Sequence, residues 1–241
     1  MEGRLGMGQI YLVRHGQASF GSANYDQLSE LGHEQARLLG EWFANSHQKF
    51  HRIVTGDLKR HRQTADACIA VLPKSHRVDT DWHTDPGFNE YDHHEVLVKH
   101  RPDFEDPEQV KRFLASHPNA RYAFQDIFQA AMSRWMSGEY DADYREPWPV
   151  FRQRCVDALQ RLLDSADKSQ SIIVFTSGGT IATLCQQVLG LQDRQVAELN
   201  WTLVNCAVTK LLYQPGRVTL SYLNNYAHLE WLGQPHTITY R

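Results

Sequence analysis

Short apolar runs alternate with longer amphipathic ones over most of this chain. Residues 9–13, QIYLV, are apolar, with β-branched and aromatic content, and predict a buried strand. The next stretch, LSELGHEQARLLGEWFANS, brings Leu31, Ala36, Leu38, Leu39, Trp42 and Phe43 round at helical spacing, with Ser29 placed to cap the helix start. FHRIVTG then reads as a second strand and RHRQTADACIAVL as a second helix. Further on, SIIVFTS is the strongest strand signal, and it passes through Gly178 and Gly179 into the helix TIATLCQQVLG. NCAVTKLLYQ and RVTLSYL are strands separated by Pro215-Gly216, a hairpin signal.

Strands that alternate with helices predict an α/β fold: a three-layer sandwich around a mostly parallel central sheet, with one antiparallel edge strand supplied by the hairpin. Between about residues 92 and 146 the pattern changes. Helical periodicity continues there, no convincing strand occurs, and Pro102, Pro107 and Pro118 punctuate it. We read this stretch as a helical cap inserted into a single domain spanning residues 1–241. The helical positions Phe124, Phe128, Met132, Trp135 and Met136 form a packing stripe rather than a ligand cage.

Composition narrows the function. The 241 residues suffice for a substantial core. Lys plus Arg number 25 against 28 Asp plus Glu, a formal net charge of −3, so neither nucleic acid nor an acidic membrane surface is an expected partner. An anion site must then be a local concentration of positive charge. Cys68, Cys155, Cys185 and Cys206 are far apart in apolar runs, which predicts buried free thiols. The start, MEGRLGMGQ, has no apolar leader core, and no run approaches the ~20 apolar residues of a membrane span. A cytoplasmic protein is the expectation.

Ligands of open α/β sheets bind beyond the carboxyl ends of the strands. Three such ends carry polar groups here: Arg14-His15-Gly16, Thr55-Gly56-Asp57 with Arg60 close behind, and Thr176-Ser177-Gly178-Gly179. If those strands are parallel neighbours, the groups form an anion pocket suited to phosphate, with arginines, a histidine and a helix N-terminus. Among arginines His15 is expected to stay neutral, and neutral imidazole is a competent nucleophile. Arg14 is its clamp. Ser177 is the N-cap of its helix, and its hydroxyl or the Gly178 and Gly179 amides are candidate phosphate contacts. His61 and Arg62 are expected on solvent-facing sides of their helix. Glu90, Asp92 and Glu95 are acidic neighbours among which the residues alone do not choose. His93 and His94 are adjacent with no third ligand apparent, so no metal is expected. His228 reads as structural or supporting.

Several of these segments resemble the histidine phosphatase superfamily, in the branch that includes cofactor-dependent phosphoglycerate mutases. LVRHGQA is similar to its LxRHGE/Q signature, and TGDLKRHRQTA to its SxxLxRAxQTA element, which makes Arg60 the second arginine. DPGFNEYD resembles the short L/F-x-E element that supplies the proton donor, here Glu90. LSELGHEQA resembles the LTxxGxxQA helix start, and LNNYAHL the C-terminal N-x-x-HL element. One departure stands out: where the family has a second histidine in VxSHGG, this chain reads VFTSGGT, with Ser177 in that place.

The resemblance implies a metal-independent phosphatase that hydrolyses phosphomonoesters through a phosphohistidine at His15 and needs no cofactor. Arg14 and Arg60 would hold the phosphoryl oxygens, Glu90 would serve as acid and then base, and Ser177 and Gly178 would help bind phosphate. A phosphorylated small molecule or a phosphopeptide is the expected substrate, recognised by the 92–146 segment. The alternatives are a phosphate-binding regulatory module with little turnover and, less favoured for want of the second histidine, a phosphoglycerate-type mutase. Oligomeric state is left open by the residues.

Overall fold

The computed structural model describes residues 6–19, 26–78 and 82–240. Its centre is a six-stranded sheet in the order β3-β2-β4-β1-β5-β6. These strands are β1 (Gly8–Arg14), β2 (Arg52–Thr55), β3 (His83–Thr84), β4 (Ser171–Thr176), β5 (Val208–Gln214) and β6 (Arg217–Asn225). β1 pairs in parallel with β4, β4 with β2, and β2 with β3. The hairpin β5–β6 forms the antiparallel edge, with β5 running against β1. The two-residue strand β3 has no readable apolar run and was not anticipated.

Helices α1 (Glu30–Asn45) and α2 (Lys59–Ala70) lie on one face. The opposite face carries α3 (His93–His100), α4 (Pro107–Ser116), α5 (Ala120–Met136), α6 (Trp148–Asp164), α7 (Gly178–Leu189) and α8 (Asp193–Thr202). A single turn, α9 (Ala227–Glu230), follows β6. Alternation along the strands divides the interior into two cores. Ile10, Leu12, Val54, Ile172 and Val174 point to the side of Trp135, Phe151 and Leu184. Tyr11, Val13, Ile53, Ile173 and Phe175 point to Leu39, Phe43, Ala65 and Ile69 from α1 and α2. Covered on both faces, β1 and β4 become continuous apolar runs, which is why they were the clearest elements in the sequence.

Ser29 caps α1 as expected: its hydroxyl accepts from the Gly32 amide at 3.0 Å. In the 92–146 region the described elements are helical, and Val96, Phe128, Ala131, Met132 and Trp135 join the larger core. All four cysteines are buried and free. Among the described residues, no helix is long and apolar enough to cross a membrane.

Candidate active site

β2, β4 and β1 are adjacent and parallel, so their carboxyl ends bring the three polar segments together. The backbone beyond β1 is pinned closely. The His15 amide donates to the Thr176 carbonyl (2.9 Å), the Arg14 carbonyl accepts from the Cys206 amide (3.0 Å), and Asn205 Nδ2 donates to the His15 carbonyl (3.0 Å). From α2, Thr64 Oγ1 accepts the Gly16 amide at 3.0 Å. Thr64 and Asn205 therefore fix the loop that presents His15. Sequence reasoning assigned neither a role, although Thr64 lies inside the α2 motif.

The His15 ring is 7% exposed, and its Nδ1 stands 2.7 Å from the Gly16 carbonyl oxygen. A carbonyl only accepts, so Nδ1 carries the proton and Nε2 keeps a free lone pair. Burial drives the imidazole well below its ordinary pKa, and Arg60, Arg14 and His61 push the same way. His15 is thus neutral at physiological pH.

Arg14 donates from Nη1 to the Leu203 carbonyl and lies over the start of α7, where a Cβ on Gly178 would come within 3.4 Å of its Nε. Arg60 pairs with Asp26 at 2.9 Å. Asp26 also accepts from the Lys59 and Arg60 amides at 2.9 and 3.4 Å, which caps α2 in place of the apolar Leu58 at the N-cap position.

Glu90 is the acidic residue that enters this cluster. Its side chain is 5% exposed, and Oε2 accepts from the Gly179 amide at 3.0 Å. Only glycine permits that approach, since a Cβ on residue 179 would stand 2.3 Å from Glu90 Oε1. Burial raises the Glu90 pKa, opposed by the Gly179 amide and by Arg60 and Arg14. Its loop is held from below by Arg154 of α6, which donates to the carbonyls of Pro86, Gly87 and Asn89 at 3.0–3.1 Å and pairs with Glu146. Asp92 instead caps α3, and both Asp92 and Glu95 pair with exposed Arg145. The three acids are thereby separated.

His93 Nε2 lies 3.9 Å from Glu90 Oε2. Burial, followed by the two arginines, holds His93 down to about 3, so the contact is a neutral ring beside a carboxyl and not an ion pair. His94 is exposed, and among the described residues no cluster of His, Cys, Asp or Glu could hold a metal ion. His228 is buried, with burial lowering it to about 4.

Two expectations are corrected here. Ser177 occupies the N-cap position of α7, but its hydroxyl takes no capping bond. It lies instead 2.6 Å from Nε2 of His61. His61, expected at the surface, is fully buried, with its ring centroid 5.9 Å from that of His15. His61 turns towards the strand ends, where it meets Ser177 and Gly56 and lies beside His15, while Arg62 stays exposed as expected. A cleft of about 600 Å³, lined by residues that include Leu163, Tyr213 and Val218, lies at the other end of the strands and contains none of these groups.

The sequence profile of the histidine phosphatase superfamily (branch 1) matches residues 10–138 and 119–226, two overlapping segments that take in Arg14, His15, Arg60, His61, Glu90 and Ser177. The chain belongs to the histidine phosphatase superfamily. Curated relatives include the mitochondrial serine/threonine-protein phosphatase Pgam5 of Caenorhabditis briggsae, 41% identical over 64 residues, covering 27% of this chain and 22% of the relative. The rat PGAM5 is 40% identical over 74 residues, covering 30% of this chain and 26% of the relative. The matches thus span about a quarter of those relatives' length. Among solved structures, phosphoglycerate mutase from Bacillus anthracis superposes with a TM-score of 0.64 at 19% identity, covering 95% of this chain and 98% of that one. A mutant phosphoserine phosphatase from Entamoeba histolytica, in complex with phosphoserine, superposes with a TM-score of 0.61 at 17% identity, covering 92% and 100%. At these identities the structures establish a shared fold.

Proposed function

We propose that this histidine phosphatase superfamily member hydrolyses phosphomonoesters through a phosphohistidine on His15, with no metal ion or cofactor taking part. The observation that carries the reading is the state of His15: a neutral ring whose Nδ1 proton is fixed on Gly16, leaving Nε2 as a nucleophile between two arginines. In the first step Nε2 attacks phosphorus in line while the bond to the leaving oxygen breaks. Protonated Glu90 delivers its proton to that oxygen, and Arg14 and Arg60 neutralise the non-bridging oxygens. In the second step Glu90 takes a proton from water, the water oxygen bonds to phosphorus, and the P–N electron pair returns to Nε2.

A phosphate-binding module would need the arginines but not a buried carboxyl whose pKa is raised beside them. The upward shift of Glu90 therefore favours turnover over mere binding. The relatives described as protein phosphatases and the neighbour bound to phosphoserine support phosphate monoesters of small molecules or peptides as substrates. Ser177 and the amino end of α7 complete the phosphate site in this reading.

A panel of phosphomonoesters, assayed with chelator present, should reveal hydrolysis by the wild type and none by His15→Ala. Rapid quenching should trap acid-labile, alkali-stable phosphate on His15. Label on a serine or cysteine, or full activity in His15→Ala, would refute the mechanism.

A further inference from the structure

We propose that His61 is a positioning residue for the phosphoryl group: it holds the Ser177 hydroxyl so that this hydroxyl donates to a phosphoryl oxygen. The inference rests on the phosphatase reading for its ligand and on the geometry of the His61–Ser177 pair for everything else. β1 and β4 are in parallel register with Arg14 opposite Thr176, so the residues that follow, His15 and Ser177, leave the sheet side by side. His61 Nε2 lies 2.6 Å from Ser177 Oγ, and Ser177 takes no bond from α7.

The direction of that bond follows from the other ring nitrogen. His61 Nδ1 is buried without a hydrogen-bond partner and pressed against Gly56, where a Cβ would stand 2.3 Å away. Burial, then Arg60, keeps the ring neutral, so one nitrogen carries the single proton. A proton on Nδ1 would leave a buried N–H unpaired, which folded proteins rarely tolerate. The proton therefore sits on Nε2 and is donated to Ser177 Oγ. That leaves the hydroxyl hydrogen of Ser177 to point elsewhere, and a hydroxyl that accepts one bond becomes a stronger donor of the next. A phosphoryl group on His15 is the acceptor this arrangement suits.

The sequence records the same pairing. TGDLKRHRQTA has His61 where the motif it resembles has alanine, and VFTSGGT has Ser177 where that motif has histidine. The two departures meet at one hydrogen bond. An imidazole removed from one strand end is supplied from the neighbouring helix, one hydroxyl further back.

The test is a double-mutant cycle on one phosphomonoester substrate with His61→Ala, Ser177→Ala and both together, alongside His61→Gln. His61→Ala and Ser177→Ala should each lower kcat about ten- to a hundredfold, the loss expected for one hydrogen bond to a charged group, with KM changed little. The double variant should fall no more than about twofold below Ser177→Ala, because both changes remove the same donor. His61→Gln keeps an N–H near the Nε2 position and should recover most of the loss, which a purely structural histidine would not require. If His61→Ala fails to fold, His61→Leu, which fills the space without a donor, closes the same cycle with Ser177→Ala. Multiplicative losses, or wild-type kcat in His61→Ala, would overturn the proposal. If the wild type hydrolyses no phosphomonoester, the phosphatase reading falls, and titration of the same proteins with inorganic phosphate decides this one. Equal weakening in both single variants and in the double sustains it, whereas unchanged affinity overturns it.

Discussion

Burial raises the Glu90 pKa, while the amide of Gly179 and the two arginines limit how far it rises. Acid assistance matters most for a poor leaving group such as an alkoxide and least for an activated phenolate. Glu90→Gln should therefore depress hydrolysis of an alkyl phosphate by ~10²–10⁴-fold and of nitrophenyl phosphate far less. Equal losses on the two substrates would remove Glu90 as the acid. Stability should move the opposite way. A carboxyl whose folded pKa is raised contributes stability below its unfolded value of about 4.3, and that contribution is lost as pH rises through the folded pKa. Glu90→Gln should accordingly raise Tm at pH 8 and gain nothing at pH 4, as read by calorimetry. At this scale Arg14, His15, Arg60 and Glu90 were legible because each sits in a recognisable motif. His61 was not, since periodicity assigns adjacent helical residues to different faces and gives no sign that both faces are covered.

The amino end of α7 is the element most constrained by what it touches. Gly179→Ala would place a Cβ 2.3 Å from Glu90 Oε1 and 2.6 Å from the Tyr91 ring, a clash that only a shift of the acid's loop relieves. Its cost should be about 1–3 kcal/mol in chemical denaturation, with activity on alkyl phosphates lost alongside. Ser29→Ala makes the contrasting case. It removes the α1 cap and should cost ~1 kcal/mol with kcat unchanged. The long elements could be read from the sequence because burial on both faces, or on one helical stripe, leaves a periodic record. Ser177 misled the sequence reading for a physical reason: position makes it an N-cap, but a buried imidazole competes for its hydroxyl, and position alone cannot reveal that.

Over the whole molecule, four histidines with lowered pKa values shape the response to acid, three of them buried and His93 partly exposed. His15, His61, His93 and His228 all have lowered pKa values, first through burial, with His228 at about 4 and His93 at about 3. An unfolded chain would protonate them near pH 6.5, so the folded state binds fewer protons below that point. Stability should be fully present above about pH 6.5 and decline as pH falls towards 4 and then 3. Denaturant midpoints measured across that range should show it, and His61→Gln should flatten the slope. The sequence could not supply this property, because it depends on which histidines the fold encloses. Residues 178–186 of α7 are all buried, whereas no residue of α4 is. The amide protons of α7 should therefore trade with heavy water only when the entire chain opens, while those of α4 do so through local fraying. Mass spectrometry of deuterium uptake should find α7 among the last segments labelled and α4 among the first. In the proposed phosphatase the amino end of α7 would then be a fixed anvil, and any breathing that admits or releases a reactant would belong to the helices above it.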